Sequence, residues 1–264
     1  MSDHPTLHLS VEAAYDRWAG LYDDYDNPML FVAGHAVASL APLAAGGSVF
    51  EFGCGTGRNL ALLKHLGAER LSGCDLSKGM LAQARRRDPA FTLIRHDMEL
   101  PLPAAAATGA DLVLFCLTLE HVRDLRPSLA QARRLLRPGG RVAIVEIHPL
   151  LAMGGVAAHF VTEGMEVRMP VAAHGFDEYR DAFAETGLVP LQCRDWCPRD
   201  LPPPLPFKVG RRGPDVPLAV QFILGGRTTE KGRHDKFHGD ACLTTKTTSG
   251  AKAQTAGSFA FALS

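Results

Sequence analysis

Three glycines on alternate positions, in Glu51-Phe52-Gly53-Cys54-Gly55-Thr56-Gly57, close an apolar run that starts at Ser48. Glycine enters left-handed backbone conformations without steric cost, so the run must end in a sharp turn. The residues that follow, Arg58-Asn59-Leu60-Ala61-Leu62-Leu63, return to helical spacing. Strand, glycine loop and helix therefore come in order, with the N–H groups of the helix start turned towards whatever lies above the loop. The alternation repeats downstream. Strands are expected at SVFEFG, LSGCD, FTLIRH, DLVLFCL and RVAIVEI, with helices around 58–67, 78–88 and 127–137 between them. Short runs rich in Val, Leu and Ile, separated by helices, predict an α/β fold. Its sheet would be mostly parallel and covered by helices on both faces.

Outside this alternation the pattern changes. Residues 11–19 and 29–41 read as helices joined by the polar turn DDYDNP, where Pro28 supports the break. Residues 151–175 are rich in Gly, Ala, Met and Val around a central Glu-Gly, which reads as an inserted hairpin or cap. A helix over 176–186, a glycine stop at 187 and the strand LVPLQCRDW follow, then a proline-heavy loop over 198–217 and a last strand, PLAVQFIL. Residues 227–264 are polar, show neither period, and are read as a disordered tail. The expected organisation is N-terminal helices over 1–45, a core over 46–226 with its cap at 151–175, and the tail.

Asp75 ends the second strand, eighteen residues after Gly57. A carboxylate there can accept hydrogen bonds from two ribose hydroxyls. The glycines are spaced GxGxG rather than the GxGxxG of dinucleotide-binding folds, which argues against a nicotinamide-dependent oxidoreductase. With VFEFGCGTGRN, LSGCDLSKGML, RHDMELPLP, DLVLFCLTLEHVRD and LLRPGGRVAIVE in this order over 49–146, the chain resembles the class I S-adenosylmethionine-dependent methyltransferases. The resemblance implies a Rossmann-like seven-stranded sheet, six strands parallel and PLAVQFIL antiparallel, with N-terminal lid helices and a small cap. It implies S-adenosylmethionine as cofactor. Glu51, Gly53 and Gly55 would shape the pocket for its methionine end. Asp75 would hold the ribose, and Leu76 and Met80 would flank the adenine. Asp97 would accept from the adenine amino group with Met98 beside the ring, and the backbone at Phe115, Cys116 and Leu117 would face the methionine portion. Glu51 stands where many members carry Asp, which keeps the charge and changes its reach.

Methyl transfer needs a nucleophile aligned behind the methyl group, and a base if the nucleophile arrives protonated. Histidine suits that task, having an ordinary pKa of about 6.5. His121 after the fourth strand and His148 at the end of the fifth are candidate bases, and His174 at the cap exit is a candidate substrate contact. Tyr15, Trp18 and Tyr22 share one helical face if the first helix continues. This is either a core-packing aromatic stripe or a lid that puts Tyr15 and Tyr22 over the cofactor, their phenols aimed at its carboxylate or at the substrate, with Tyr22 a further catalytic candidate. Lys plus Arg and Asp plus Glu are 28 each, so no basic footprint for nucleic acid is expected. The segment after the fourth strand, FCLTLEH, lacks the Asn/Asp-Pro-Pro-aromatic motif of enzymes that methylate adenine or glutamine amides. No cysteine or histidine spacing predicts a metal site. No secretory signal opens the chain and no apolar run is long enough for a membrane span, so a cytoplasmic protein, monomeric or homodimeric, is expected. The expected activity is transfer of a methyl group to an oxygen or nitrogen of a small molecule. Carbon methylation, or a module that binds the cofactor without transferring its methyl, are the alternatives.

Overall fold

All five residues of the strand ahead of the glycine loop are buried, which places it inside a sheet covered on both faces. The computed structural model describes residues 4–106 and 108–227, so the expected tail, beyond Arg227, lies outside the described residues. In chain order the elements begin with β1 (Thr6–His8), α1 (Val11–Trp18), α2 (Pro28–Ala38), α3 (Ala41–Ala44) and β2 (Ser48–Phe52). Next come α4 (Arg58–His65), β3 (Arg70–Asp75), α5 (Lys78–Arg87), β4 (Thr92–Arg95), β5 (Ala110–Cys116), α6 (Leu125–Leu135) and β6 (Leu136–Ile147). The remainder is α7 (Pro149–Met153), β7 (His159–Thr162), β8 (Met165–Arg168), α8 (Phe176–Thr186), β9 (Leu188–Trp196), α9 (Phe207–Gly210) and β10 (Ala219–Gly226).

The main sheet has seven strands in the order β4-β3-β2-β5-β6-β10-β9. Only β10 runs against the rest, antiparallel to β6 on one side and to β9 on the other. This is the expected topology. Successive side chains of a strand face opposite sides, and the core divides accordingly. Val49, Leu112, Leu114, Ala143 and Val145 pack on one face with Val32 and Val37 of α2 and Leu60 and Leu63 of α4. Phe50, Phe52, Val113, Phe115, Val142 and Ile144 pack on the other with Leu125 and Leu129 of α6 and Phe183 of α8. Among the described residues no helix is long and apolar enough to cross a membrane.

Three features differ from expectation. The helix expected over 29–41 breaks at Ser39 and Leu40, and α2, expected as a lid helix, packs into the core of the main sheet. The helix expected to reach residue 137 stops at Leu135, and β6 begins at once, passing Gly139 (φ 82) with a register shift against β5. The third is β1, three residues long and unrecognised in the sequence, which pairs in parallel with β8 of the cap hairpin. The N-terminus and the cap thereby form one three-stranded sheet.

That small sheet has its own core of Ala14, Trp18, Met80, Phe160, Val167 and Met169. Trp18 stacks on Phe160 with ring centroids 4.5 Å apart. One acid fastens α1 to the main domain. Asp16 accepts hydrogen bonds from Ser77 Oγ (2.6 Å) and the Gly79 N–H (2.8 Å) at the start of α5. Gly79 suits the close approach, since a Cβ would make a tight contact of 3.1 Å with the Asp16 carbonyl oxygen. Partial burial works to raise the Asp16 carboxyl, but the hydrogen bonds from Ser77 and Gly79 outweigh it and hold the group below its ordinary value.

A lowered carboxylate contributes stability that is present above its unfolded pKa of about 3.9 and is lost as pH falls through its folded value. Hydrogen-exchange protection of α1 is therefore expected to be level from neutral pH down to about 5 and to fall below about pH 4. Asp16→Asn should weaken that protection near neutral pH and remove its acid-side loss. Protection of α1 indifferent to both would show that the hairpin alone holds the helix.

Candidate active site

The carboxyl ends of β2, β3, β4 and β5 meet beneath α1, where sheets of this kind bind ligands. Gly53, Gly55 and Gly57 all have positive φ, at 65°, 53° and 71°. At Gly53 a side chain is excluded twice over, because a Cβ would also lie 2.1 Å from Thr118 Oγ1. At Gly55 nothing lies within 4 Å of that position, which leaves open space above the loop. Asp75 joins the loop to the next helix: Oδ2 accepts from the Gly55 N–H at 2.8 Å and Oδ1 from the Ser77 N–H at 2.9 Å. Each oxygen keeps a lone pair for a further donor. Burial raises the Asp75 carboxyl, against the pull of those two N–H groups.

The tip of β5 is fixed by a buried acid. Glu146 Oε1 accepts from the N–H groups of Thr118 and Leu119, both at 2.8 Å. Burial, reinforced by the charge of Glu120, pushes the Glu146 carboxyl up to about 8. Leu117, immediately before them, is held at φ 51°, a conformation that costs a non-glycine residue energy and marks a geometry imposed by its surroundings.

Two pockets meet at this tip. The first encloses about 800 Å³, part of it open to solvent. Of the residues singled out in the sequence it gathers Tyr15, Gly53, Gly55, Asp75, Leu76, Met80, Asp97, Met98, Cys116 and Leu117. Two others lie elsewhere. Phe115 points to the opposite face of the sheet and stacks on Phe52 at 4.9 Å. Glu51 is 1% exposed and sits behind the pocket, where Oε1 accepts from Asn59 Nδ2 at 2.8 Å and Oε2 has no partner. Burial pushes its carboxyl up to about 8, against the Asn59 hydrogen bond and the charge of Arg58. Thr118, His96, Glu99, Val11 and Val122 also line the pocket and went unrecognised. Only Thr118 carried a signal, as the polar residue following the strand opposite Gly53.

The second pocket, about 840 Å³ with part of that open to solvent, lies between α1, the turn after it, the cap and the loop before β10. Tyr15, Tyr22 and Leu117 line both pockets. The aromatic stripe survives although α1 ends at Trp18: Trp18 and Tyr22 pack edge to face at 4.9 Å, and Tyr15 and Trp18 stack at 5.8 Å. Trp18 is buried in the core of the small sheet and borders the second cavity, whereas the two tyrosines border both cavities. The histidines separate more sharply. His121 borders the first pocket only. Its Nδ1–H faces the Pro170 carbonyl oxygen at 3.1 Å, which leaves Nε2 to accept from the Tyr15 hydroxyl at 2.7 Å. His148 is a helix cap, accepting from the Leu150 N–H at 3.2 Å, with its other nitrogen 3.3 Å from Asp195. His174 is buried between the Val122 carbonyl oxygen (2.9 Å) and Glu178 (3.7 Å). Neither His148 nor His174 lines either pocket. Among the described residues no group of three His, Cys, Asp or Glu side chains could hold a metal ion.

Residues 50–144 match the protein family described as methyltransferase domain. Among curated proteins the chain is 28% identical over 166 residues to 27-O-demethylrifamycin SV methyltransferase of Amycolatopsis mediterranei, covering 60% of each. It is 33% identical over 132 residues to malonyl-[acyl-carrier protein] O-methyltransferase of Serratia marcescens, covering half of each. The chain thus spans about half to three-fifths of the length of these relatives. Among solved structures the CcbJ methyltransferase from Streptomyces caelestis superposes with a TM-score of 0.61 over 81% of this chain and 98% of that one. At 18% identity that likeness concerns the fold alone.

The raised carboxyls of Glu51 and Glu146 have a measurable consequence. A carboxyl protonated in the folded state and ionised in the unfolded one removes stability as pH rises from its unfolded value of about 4.3 towards its folded value. In the unliganded protein, stability in urea is expected to decline between about pH 5 and pH 8. Glu51→Gln should reduce that slope by about one proton's share, leaving the Glu146 contribution. An unchanged slope would mean that Glu51 is ionised in the folded protein.

Proposed function

As the chain carries a methyltransferase domain of the class I S-adenosylmethionine-dependent family, we propose that it transfers a methyl group from S-adenosylmethionine to an oxygen or nitrogen of a small-molecule acceptor. One observation carries this reading. Two cavities, one at the glycine loop and one under the cap, adjoin and share Leu117, Tyr15 and Tyr22 in their walls. A donor in the first and an acceptor in the second would meet at the tip of β5.

The residues present fit the cofactor. Asp75 retains two lone pairs for the ribose hydroxyls, and Leu76, Met80 and Met98 form an apolar slot for the adenine beside Asp97. The space above Gly55 admits a close approach to backbone. The partnerless Oε2 of Glu51 is a buried acceptor that an ammonium group nearby would complement. When bound, S-adenosylmethionine supplies a methyl group already activated by its positively charged sulfur.

The chain's own residues orient the reactants and exclude water. Leu117, held by Glu146 through its neighbours, forms the ridge between the cavities. Tyr15 closes over the first pocket and is locked there by His121, which receives its hydroxyl proton in a hydrogen bond. His121, expected from the sequence to act on the acceptor, acts in this reading through Tyr15, because the lone pair of its Nε2 is occupied. His148 and His174 hold the scaffold of α7 and α8.

Binding of S-adenosylhomocysteine, followed by calorimetry, should fall about tenfold to a hundredfold in Asp75→Ala, the loss of hydrogen bonds worth about 1–3 kcal/mol. A screen of small hydroxyl and amine compounds with isotope-labelled methyl donor should yield a labelled product. Unchanged affinity in the variant would put the cofactor elsewhere. Tight binding with no labelled product from any compound would favour a module that binds the cofactor only.

A further inference from the structure

The second cavity holds an acid that none of the roles above uses. We propose that Glu120 takes the acceptor's proton, and that the acceptor is a flat, largely apolar molecule presenting a hydroxyl group to it. The proposal rests on the methyltransferase reading and names the acceptor side of that same site.

Glu120 follows the tip of β5 by four residues and lines the second cavity, whereas His121 next to it lines only the first. Its side chain is fixed by the cap, since Oε2 accepts from the Ala158 N–H at 3.2 Å. Its own carbonyl oxygen accepts from the Ala172 N–H at 2.7 Å. The carboxylate is therefore held from both ends of the cap against the ridge formed by Leu117. The cavity around it is walled by Trp18, Tyr22 and Tyr25 on one side and by Ile147, Leu151 and Leu218 on the other. Such a wall selects a flat apolar body and leaves few polar groups to orient it.

The charges decide between a hydroxyl and an ammonium. An ammonium would be favoured by an open aromatic cage and an excess of negative charge. Neither is present. The rings pack on one another, Trp18 against Tyr22 at 4.9 Å and against Tyr25 at 5.4 Å, and leave no space between them for a cation. Lys208 and Arg212 line the cavity along with Asp26 and Glu120, so the acids are matched by bases. The titratable groups that bear on Glu120 are Tyr15 of α1, Tyr22 of the following turn, His121, Glu146 of β6, His159 of β7 and Tyr179 of α8. Burial raises the Glu120 carboxyl, and the two histidines and the Ala158 N–H oppose it without cancelling it. A carboxylate raised in this way is a stronger base.

The step balances. The acceptor oxygen forms its bond to the methyl carbon while the carbon–sulfur bond breaks, the electron pair of that bond stays on sulfur, and the hydroxyl proton passes to a Glu120 oxygen. One positive charge on sulfur and one negative charge on Glu120 are lost together. The proton leaves to solvent with the product.

The test uses 4-propylphenol, its methyl ether 4-propylanisole, and 4-propylbenzylamine, titrated by calorimetry into the full chain with and without saturating S-adenosylhomocysteine. The phenol is expected to bind at least about tenfold more tightly than the ether, the worth of a hydrogen bond to a buried carboxylate. Glu120→Leu should abolish that preference and Glu120→Gln should reduce it severalfold, with affinity for the ether and for S-adenosylhomocysteine unchanged in both. Unchanged S-adenosylhomocysteine binding reports an intact fold, and Glu120→Gln decides the matter if the leucine variant fails to fold. Where the phenol is methylated, Glu120→Gln should lower kcat by about 10²–10⁴ and remove the rising limb of its pH profile, which a merely structural role would not do. Equal binding of phenol and ether to the wild type, a preference that survives in Glu120→Leu, tightest binding of the amine, or no binding of any probe each overturns the proposal. Failure to bind S-adenosylhomocysteine is read in the same titration and counts against the methyltransferase reading, separately from Glu120.

Discussion

Asp75 is the residue on which the geometry of the site depends. Its two oxygens accept N–H groups from Gly55 and Ser77, so one side chain couples the glycine loop after β2 to the start of α5. Two and four residues further on, Ser77 and Gly79 donate to Asp16 and fasten α1 to the same helix start. Loop, strand end and covering helix are thus held within one short hydrogen-bonded chain. Because Asp75 keeps a free lone pair on each oxygen, the group that organises the protein is also the one that offers itself to a ligand.

Three further acids, Glu51, Glu146 and Glu120, lie in or near the rim of the sheet, and burial raises all three. Burying a carboxyl is unfavourable unless it is hydrogen-bonded or neutral. Each is held differently. Glu146 spends one oxygen on two backbone N–H groups that shape the tip of β5, Glu51 meets Asn59 with one oxygen and nothing with the other, and Glu120 meets the cap. Sites where stability is given up in this way are commonly those that function requires.

The main sheet was legible because its strands are continuous apolar runs and its helices have clear stops, so topology and most first-pocket residues followed from spacing. What was not legible has specific causes. His148 looked like a pocket residue because it ends a strand, but Pro149 after it starts a helix that the imidazole caps. The strand β1 has three residues, too few for any period to show, and gains its partner from a segment 160 residues away. The second cavity draws on residues near 15–29, 117–120, 147–159 and 208–218, and no local pattern unites them.

Strand β10 lies inside the sheet although it is the last described strand in the chain. A nascent chain that has emerged as far as Trp196 can assemble β2 to β6, yet β9 then has no neighbour to pair with, and β6 presents an open edge. Both edges close only when residues 219–226 arrive between them, and Leu218, immediately before, completes the wall of the second cavity. On the ribosome, at roughly 5–20 residues per second, the strands under the first pocket are in place seconds before the wall of the second is complete. Over that interval the partly made protein is a half-open sheet with an unpaired edge, the state in which such chains depend most on chaperones.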